Sequence, residues 1–202
     1  MDKIKAAFAG KKANIGYIVA GYPSPAHTKE FLSNLDESTI DLLEIGIPYS
    51  DPLADGPEIF KASFSAVQNG VNAGTVFEIL KEVQTRKPLV FLVYYNVIFA
   101  YGAREFVAQA ARYGISGLII PDLPYEANEE IFALCEEFGI ALIPLISVTS
   151  EHRAARVLSR ARGFIYGVGA IGVTGSKQTP ISRLKNMVAD LKKMSDLPVA
   201  IG

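Results

Sequence analysis

The chain predicts an α/β fold of parallel strands, a TIM (β/α)8 barrel cut short after its seventh strand. Three observations carry this. Short apolar, β-branched runs recur along the whole length, with longer amphipathic stretches between them. The runs are near-continuously apolar instead of alternating, as expected of parallel strands covered by helices. The competing architecture, an open doubly wound sheet bearing a dinucleotide, would favour a Gly-rich turn after the first strand, and Ala20-Gly21-Tyr22-Pro23 is not one.

Strands are expected over 16–20, 41–45, 89–94, 117–121, 141–145, 164–168 and 198–201. Helices are expected over 25–35, 104–113, 127–138, 151–161 and 181–194. Gly114 and Gly139 mark two helix ends, and Ser150 stands where a cap belongs. The longer gap between the second and third strands has room for two helices, 58–68 and 75–85, divided by Gly70 and Gly74. No linker or low-complexity stretch interrupts this alternation, so residues 1–202 read as one barrel domain without its C-terminal βα unit. A complete barrel needs roughly 250 residues.

The composition excludes several functions. Twenty basic against 21 acidic side chains, for a net charge of -1, provide no basic face for nucleic acid. No apolar run reaches the roughly 18 residues of a membrane span. The start at Met1 lacks a signal-peptide pattern, and the single cysteine, Cys135, suits a reducing compartment. A cytoplasmic protein is expected. His27 and His152 fall in helical stretches without ligand partners at zinc spacing, so no metal site is expected.

Barrel active sites lie where strands end and βα-loops begin. Glu44 interrupts the second strand near its C-terminal end and shares a face with Leu42 and Gly46. A carboxyl pointing into the barrel is costly unless paired or protonated, and desolvation there raises its pKa toward a general acid or base. The competing reading is a structural Glu bonded to backbone. Eleven positions on, Asp55 lies in a loop stiffened by Pro48, Pro52 and Pro57. Asp before Gly is also ordinary turn chemistry, but that explains the pair of carboxylates less well than separate acid and base roles do. The Gly-rich segment 167–176 follows the sixth strand as an anion-binding concavity, a flexible lid, or both. Tyr94-Tyr95-Asn96 is assigned to core packing.

The run Leu43-Glu44-Ile45-Gly46-Ile47-Pro48-Tyr49-Ser50-Asp51-Pro52-Leu53-Ala54-Asp55-Gly56-Pro57 resembles the signature of the tryptophan synthase alpha subunit. Gly172-Val173-Thr174-Gly175 is similar to that family's mobile loop after strand six, and Pro121-Asp122-Leu123-Pro124 to its loop after strand four. The resemblance implies a lyase that cleaves indole-3-glycerol phosphate, with Glu44 and Asp55 as the catalytic pair. It also implies that Tyr17 and Tyr166 line the indole pocket, that Gly175 takes part in phosphate binding and that Thr174 bonds Asp55. Asp51 matches a contact with the beta subunit, and that partner, not this chain, is expected to carry pyridoxal phosphate in an alpha2beta2 complex. Glu58 and Pro121 depart from the family pattern, as does the end at Gly202, which leaves out the last strand and part of the phosphate site. A protein ending there is expected to associate or to be poorly soluble, and to bind phosphate weakly. Two rivals are another phosphate-binding barrel, such as an isomerase of the same pathway, and a subunit whose main role is to dock on and activate a beta partner.

Overall fold

The computed structural model describes residues 3–147, 153–169 and 180–202. The first half runs α1 (Lys3–Ala7), β1 (Ile15–Val19), α2 (Pro25–Ser33), β2 (Leu42–Gly46), α3 (Pro57–Gln68), α4 (Ala73–Lys81) and β3 (Leu89–Leu92). There follow α5 (Tyr95–Tyr101), α6 (Ala103–Arg112), β4 (Ile115–Ile119), α7 (Glu129–Phe138), β5 (Ala141–Leu142) and β6 (Leu145–Ser147). The described elements close with α8 (Ala154–Leu158), β7 (Ile165–Val168), α9 (Ile181–Met194) and β8 (Val199–Ile201).

Every strand pairing is parallel, in the orders β1-β2-β3-β4-β5 and β6-β7-β8. The strand expected over 141–145 is split because Pro144 has no N–H to donate to a ladder. It still joins the two sheets. The Ile143 N–H bonds the Leu118 carbonyl at 2.8 Å, and the Pro144 carbonyl accepts from the Tyr166 N–H at 2.9 Å. Counting β5 and β6 as one stave gives the seven that the sequence predicts.

The two faces of the staves are filled separately. Leu42, Val90, Ile119, Ile143 and Phe164 meet inside, while Leu43, Ile45, Phe91 and Leu118 lie beneath the helices with Phe77 and Phe106. All five residues of β2 are buried, which is why its sequence shows no polar alternation. Helix α1, not expected from sequence, packs Ile4 and Ala7 into the inner cluster, and the Phe8 ring reaches Phe164 at 5.6 Å. Five residues are too few for a readable helical period.

Helix boundaries follow their caps. Ser24 caps α2 by accepting the His27 N–H. Asn72 and Thr75 form a reciprocal capping box, so α4 begins at Ala73, before the expected residue 75. Gly139 ends α7 in the left-handed region at φ 70°, where a Cβ would be strained. The third strand stops at Leu92 because α5 begins at Tyr95, whose N–H donates to Asp122 Oδ1 at 2.8 Å.

Candidate active site

Strand β2 places Glu44 by its register. Glu44 lies opposite Tyr17 on β1 and Val90 on β3, held from both sides by the ladder. Its alternation partner Leu42 belongs to the inner cluster, so Glu44 faces the barrel interior with only 5% of its surface exposed. Burial alone pushes its carboxyl up to about 7. A carboxyl in that position exchanges its proton near neutrality, as a general acid–base group must.

Asp55 reaches the same space from the loop after β2. The loop is tied down at two points. Ser63 of α3 accepts the Tyr49 N–H at 2.8 Å and donates to the Tyr49 carbonyl at 2.9 Å. The Ala54 N–H donates to the Tyr94 hydroxyl at 3.0 Å. Half-burial raises the Asp55 carboxyl, and a hydrogen bond from Tyr94 opposes that rise. Pro57, the first residue of α3 after Gly56, ends the loop at a helix start.

Two tyrosines complete the mouth by the same device. Tyr17 pairs with Glu44, and its hydroxyl lies where a side chain at Gly46 would stand, 2.2 Å from an ideal Cβ. Tyr166 pairs with Ala200, and its hydroxyl stands at the same 2.2 Å from an ideal Cβ on Gly202. In each case the neighbouring strand supplies a glycine two residues beyond the partner, and the absent side chain makes room for the ring. Burial raises both phenols, Tyr166 to about 12, and the charges of Asp55 and Glu44 add to the rise in each. Glu44, Asp55, Tyr17, Tyr94 and Tyr166 therefore share one electrostatic neighbourhood at the C-terminal ends of β1, β2, β3 and β7.

Four of the site residues expected from sequence are thus brought together: Glu44, Asp55, Tyr17 and Tyr166. Asp51 is exposed on the loop after β2, away from this cluster, and accepts from the Ser50 hydroxyl. Thr174, Gly175 and His152 lie outside the described residues. Tyr94 packs in the core as expected, 2% exposed, and its hydroxyl in addition accepts the Ala54 N–H of the Asp55 loop. The signal was present in the alternation Val90, Leu92, Tyr94, since Val90 and Leu92 both face inward. Glu58 is exposed in the first turn of α3, where a negative charge favours the helix.

His27 is exposed and its ring bonds Ser24, and among the described residues no group of three His, Cys, Asp or Glu could hold a metal ion. Among the same residues no helix is long and apolar enough to cross a membrane.

A barrel of parallel α/β staves with two carboxyl groups gathered among tyrosines at one end of its strands places the chain in the TIM-barrel class. The model of the tryptophan synthase alpha chain family matches residues 4–202, and the chain belongs to that family. It is 42% identical over 196 residues to the tryptophan synthase alpha chain of Campylobacter jejuni, covering 96% of this chain and 79% of that one. The alpha chain of Petrotoga mobilis is 44% identical over 205 residues, covering 100% of this chain and 80% of its own length. The solved tryptophan synthase subunit alpha from Campylobacter jejuni superposes with a TM-score of 0.89 at 41% identity, over 98% of this chain and 80% of that one.

Proposed function

We propose that this protein is a carbon–carbon lyase that cleaves indole-3-glycerol phosphate to indole and glyceraldehyde 3-phosphate in tryptophan biosynthesis. Membership of the alpha-chain family supports the substrate. The observation that carries the chemistry is the inward, desolvated Glu44 beside Asp55. A docking subunit without catalysis would have no need of a buried carboxyl poised near neutrality.

The retro-aldol step assigns each group a task. Glu44 in its protonated form delivers a proton to indole C3, while ionised Asp55 faces the ring N–H and stabilises the positive charge that develops on the ring. The bond from C3 to the side chain then breaks, and its electron pair restores the aromatic ring. Glu44, now ionised, accepts the proton of the side-chain hydroxyl as that carbon becomes the aldehyde. The ring itself is the electron sink. Tyr17 and Tyr166 supply apolar walls for the indole. Thr174 and Gly175 are assigned to Asp55 contact and phosphate binding by their place in the Gly-Val-Thr-Gly motif.

A beta-subunit partner, the carrier of pyridoxal phosphate in the same proposal, fits the mouth face. Leu53 is 75% exposed on the catalytic loop and Phe99 is 70% exposed on α5, with Asp51 on the same loop as Leu53. Localisation to the cytoplasm is consistent with Cys135, which is buried and unpaired.

The pH–rate profile tests the assignment. Asp55 must be ionised and Glu44 protonated, so kcat/KM should fall at low pH through Asp55 and at high pH through Glu44, with the alkaline limb near 7. An alkaline limb unmoved when Glu44 is replaced by Asp, or a flat profile, would contradict these roles.

A further inference from the structure

We propose that the cleft between α7 and α8 is a binding site for a small monoanionic carboxylate with an apolar body, anchored by the Arg160 Nε–H. The cleft has a volume of about 170 Å3 and lies against the stave at 142–145. None of Glu44, Asp55, Tyr17, Tyr94 or Tyr166 lines it, so it is separate from the catalytic mouth. Leu142, Pro144 and Val157 give it apolar walls, and Asn128, Arg153 and Arg160 are among its polar side chains. A cavity of roughly 150 Å3 holds a benzene ring, so this cleft admits a body of that size.

Arg160 makes the cleft selective. Its guanidinium is held rigidly: Nη1 donates to Glu129 Oε2 at 2.6 Å and Nη2 to Asn128 Oδ1 at 2.7 Å. Its central carbon lies 4.2 Å from the centre of the Phe132 ring and 4.6 Å from that of Tyr125. Nε is different. Among the described residues it is the one buried side-chain nitrogen or oxygen atom without a hydrogen-bond partner. A buried donor of this kind calls for an acceptor from outside. The local charges set the sign of that acceptor. Arg153 bonds Glu126 and Arg160 bonds Glu129, while Arg156 lies 5.4 Å from the Tyr125 ring and has no ion pair among the described residues. One negative charge completes the set. A single unpaired buried donor beside apolar walls fits one carboxylate oxygen and a hydrocarbon body, whereas a phosphate dianion needs several donors converging on it.

The probe is benzoate, titrated into the full chain by nitrogen–proton NMR, with benzamide as its uncharged analogue and inorganic phosphate as the rival anion. Benzoate should shift the Arg160 Nε–H resonance saturably and bind about tenfold or more tightly than either, the scale of a hydrogen bond between charged groups. Arg160→Lys keeps a cation but removes the guanidinium, and should weaken benzoate by about tenfold. Lysine also gives up the bonds to Asn128 and Glu129, so Ala161→Leu supplies an independent check. Ala161 is half-buried and lines the cleft, and the added carbons should exclude benzoate while Arg160 is untouched. Neither residue belongs to the catalytic set, so cleavage of indole-3-glycerol phosphate should be unchanged in both variants. Benzoate binding that leaves the Arg160 resonance unmoved, or that survives Ala161→Leu, would place the ligand elsewhere and overturn the site. Equal affinity for benzamide or phosphate would overturn the carboxylate assignment. The absence of any saturable shift would mean that water alone satisfies Nε, and would overturn the proposal as a whole.

Discussion

Strand β2 and the loop that follows it each carry one acidic side chain to the mouth of the barrel, and they hold it by different means. Glu44 is fixed by backbone: ladders to β1 and β3 on both sides determine where its Cβ points, and the apolar interior determines its protonation. The loop that carries Asp55 is fixed by side chains: Ser63 bonds both backbone groups of Tyr49 and the Tyr94 hydroxyl accepts the Ala54 N–H, on a segment with no ladder of its own. The strand offers position without adaptability, so Glu44 suits a proton shuttle between two atoms of a bound substrate. The loop holds its carboxylate near the opening, where partial burial raises it and Tyr94 opposes part of that rise.

The sharpest way to break this comparison is to neutralise each acid in turn. Asp55→Asn should lower kcat by about a hundred- to a thousandfold, since it removes the charge that stabilises the ring cation. Glu44→Gln should cost a comparable factor by removing the proton carrier. Single-turnover assays of indole release on the two variants measure this. Turnover near that of the unaltered chain in either one removes that residue from the mechanism.

Stability should then separate the two residues. Glu44 has its folded pKa raised to about 7, so the folded state holds its proton more tightly than the unfolded chain does. That contribution is fully present below the unfolded carboxyl's ordinary range and is lost as pH rises through about 7. Glu44→Gln has no charge to bury. It should be more stable than the unaltered chain at pH 8 by on the order of 2 kcal/mol, with the advantage gone near pH 4. Urea unfolding at the two pH values measures it. A variant less stable at pH 8 would mean that the ionised carboxylate has partners that the folded interior supplies. Asp55→Asn should show much less of this pH dependence, because its carboxyl is half-exposed and bonded by Tyr94.

What was legible in the sequence follows the same division. The inward direction of Glu44 could be read from alternation, because a strand buried on both faces obeys a period of two whatever surrounds it. The staves were readable for the same reason, except where Pro144 broke the ladder. The holder of Asp55 was not readable. Tyr94 lies 40 positions from Ala54, and only the folded loop brings its hydroxyl there. Helix α5 was hidden likewise, since Tyr-Tyr-Asn continues a β-like pattern and the helix start depends on Asp122, 27 positions away on another loop. Local chemistry read well where one element determined the outcome, and poorly where two distant loops met.

A smaller effect probes the wall between the two regions. Gly46→Ala would place a Cβ 2.2 Å from the Tyr17 hydroxyl and 2.8 Å from its Cζ, so the ring must swing away from the end of β2. Since the ring and not the backbone gives way, the fold should lose only about 1–3 kcal/mol. Substrate affinity should fall, with KM rising about tenfold if the displaced ring forfeits its packing on the indole. An unchanged KM would take Tyr17 off the pocket wall.

The smallest effect should come from Ser63→Ala, the most distant link in the side-chain hold on the loop. Ser63 is 4% exposed, and its hydroxyl is both the acceptor for the Tyr49 N–H and a donor to the Tyr49 carbonyl. Alanine leaves both backbone groups without that partner, at a cost of about 1–2 kcal/mol in unfolding free energy. Tyr49 would then support the Tyr94 ring less firmly, but the Tyr94 hydroxyl would keep its bond from Ala54. Turnover should therefore fall only about twofold, and the acid limb of the pH profile should stay in place. The alkaline limb should not move either, because no atom of Glu44 depends on this chain of contacts. A Ser63→Ala variant that lost turnover as severely as Asp55→Asn would show that the loop is held mainly through Tyr49, and that the phenol of Tyr94 is the lesser of its two anchors.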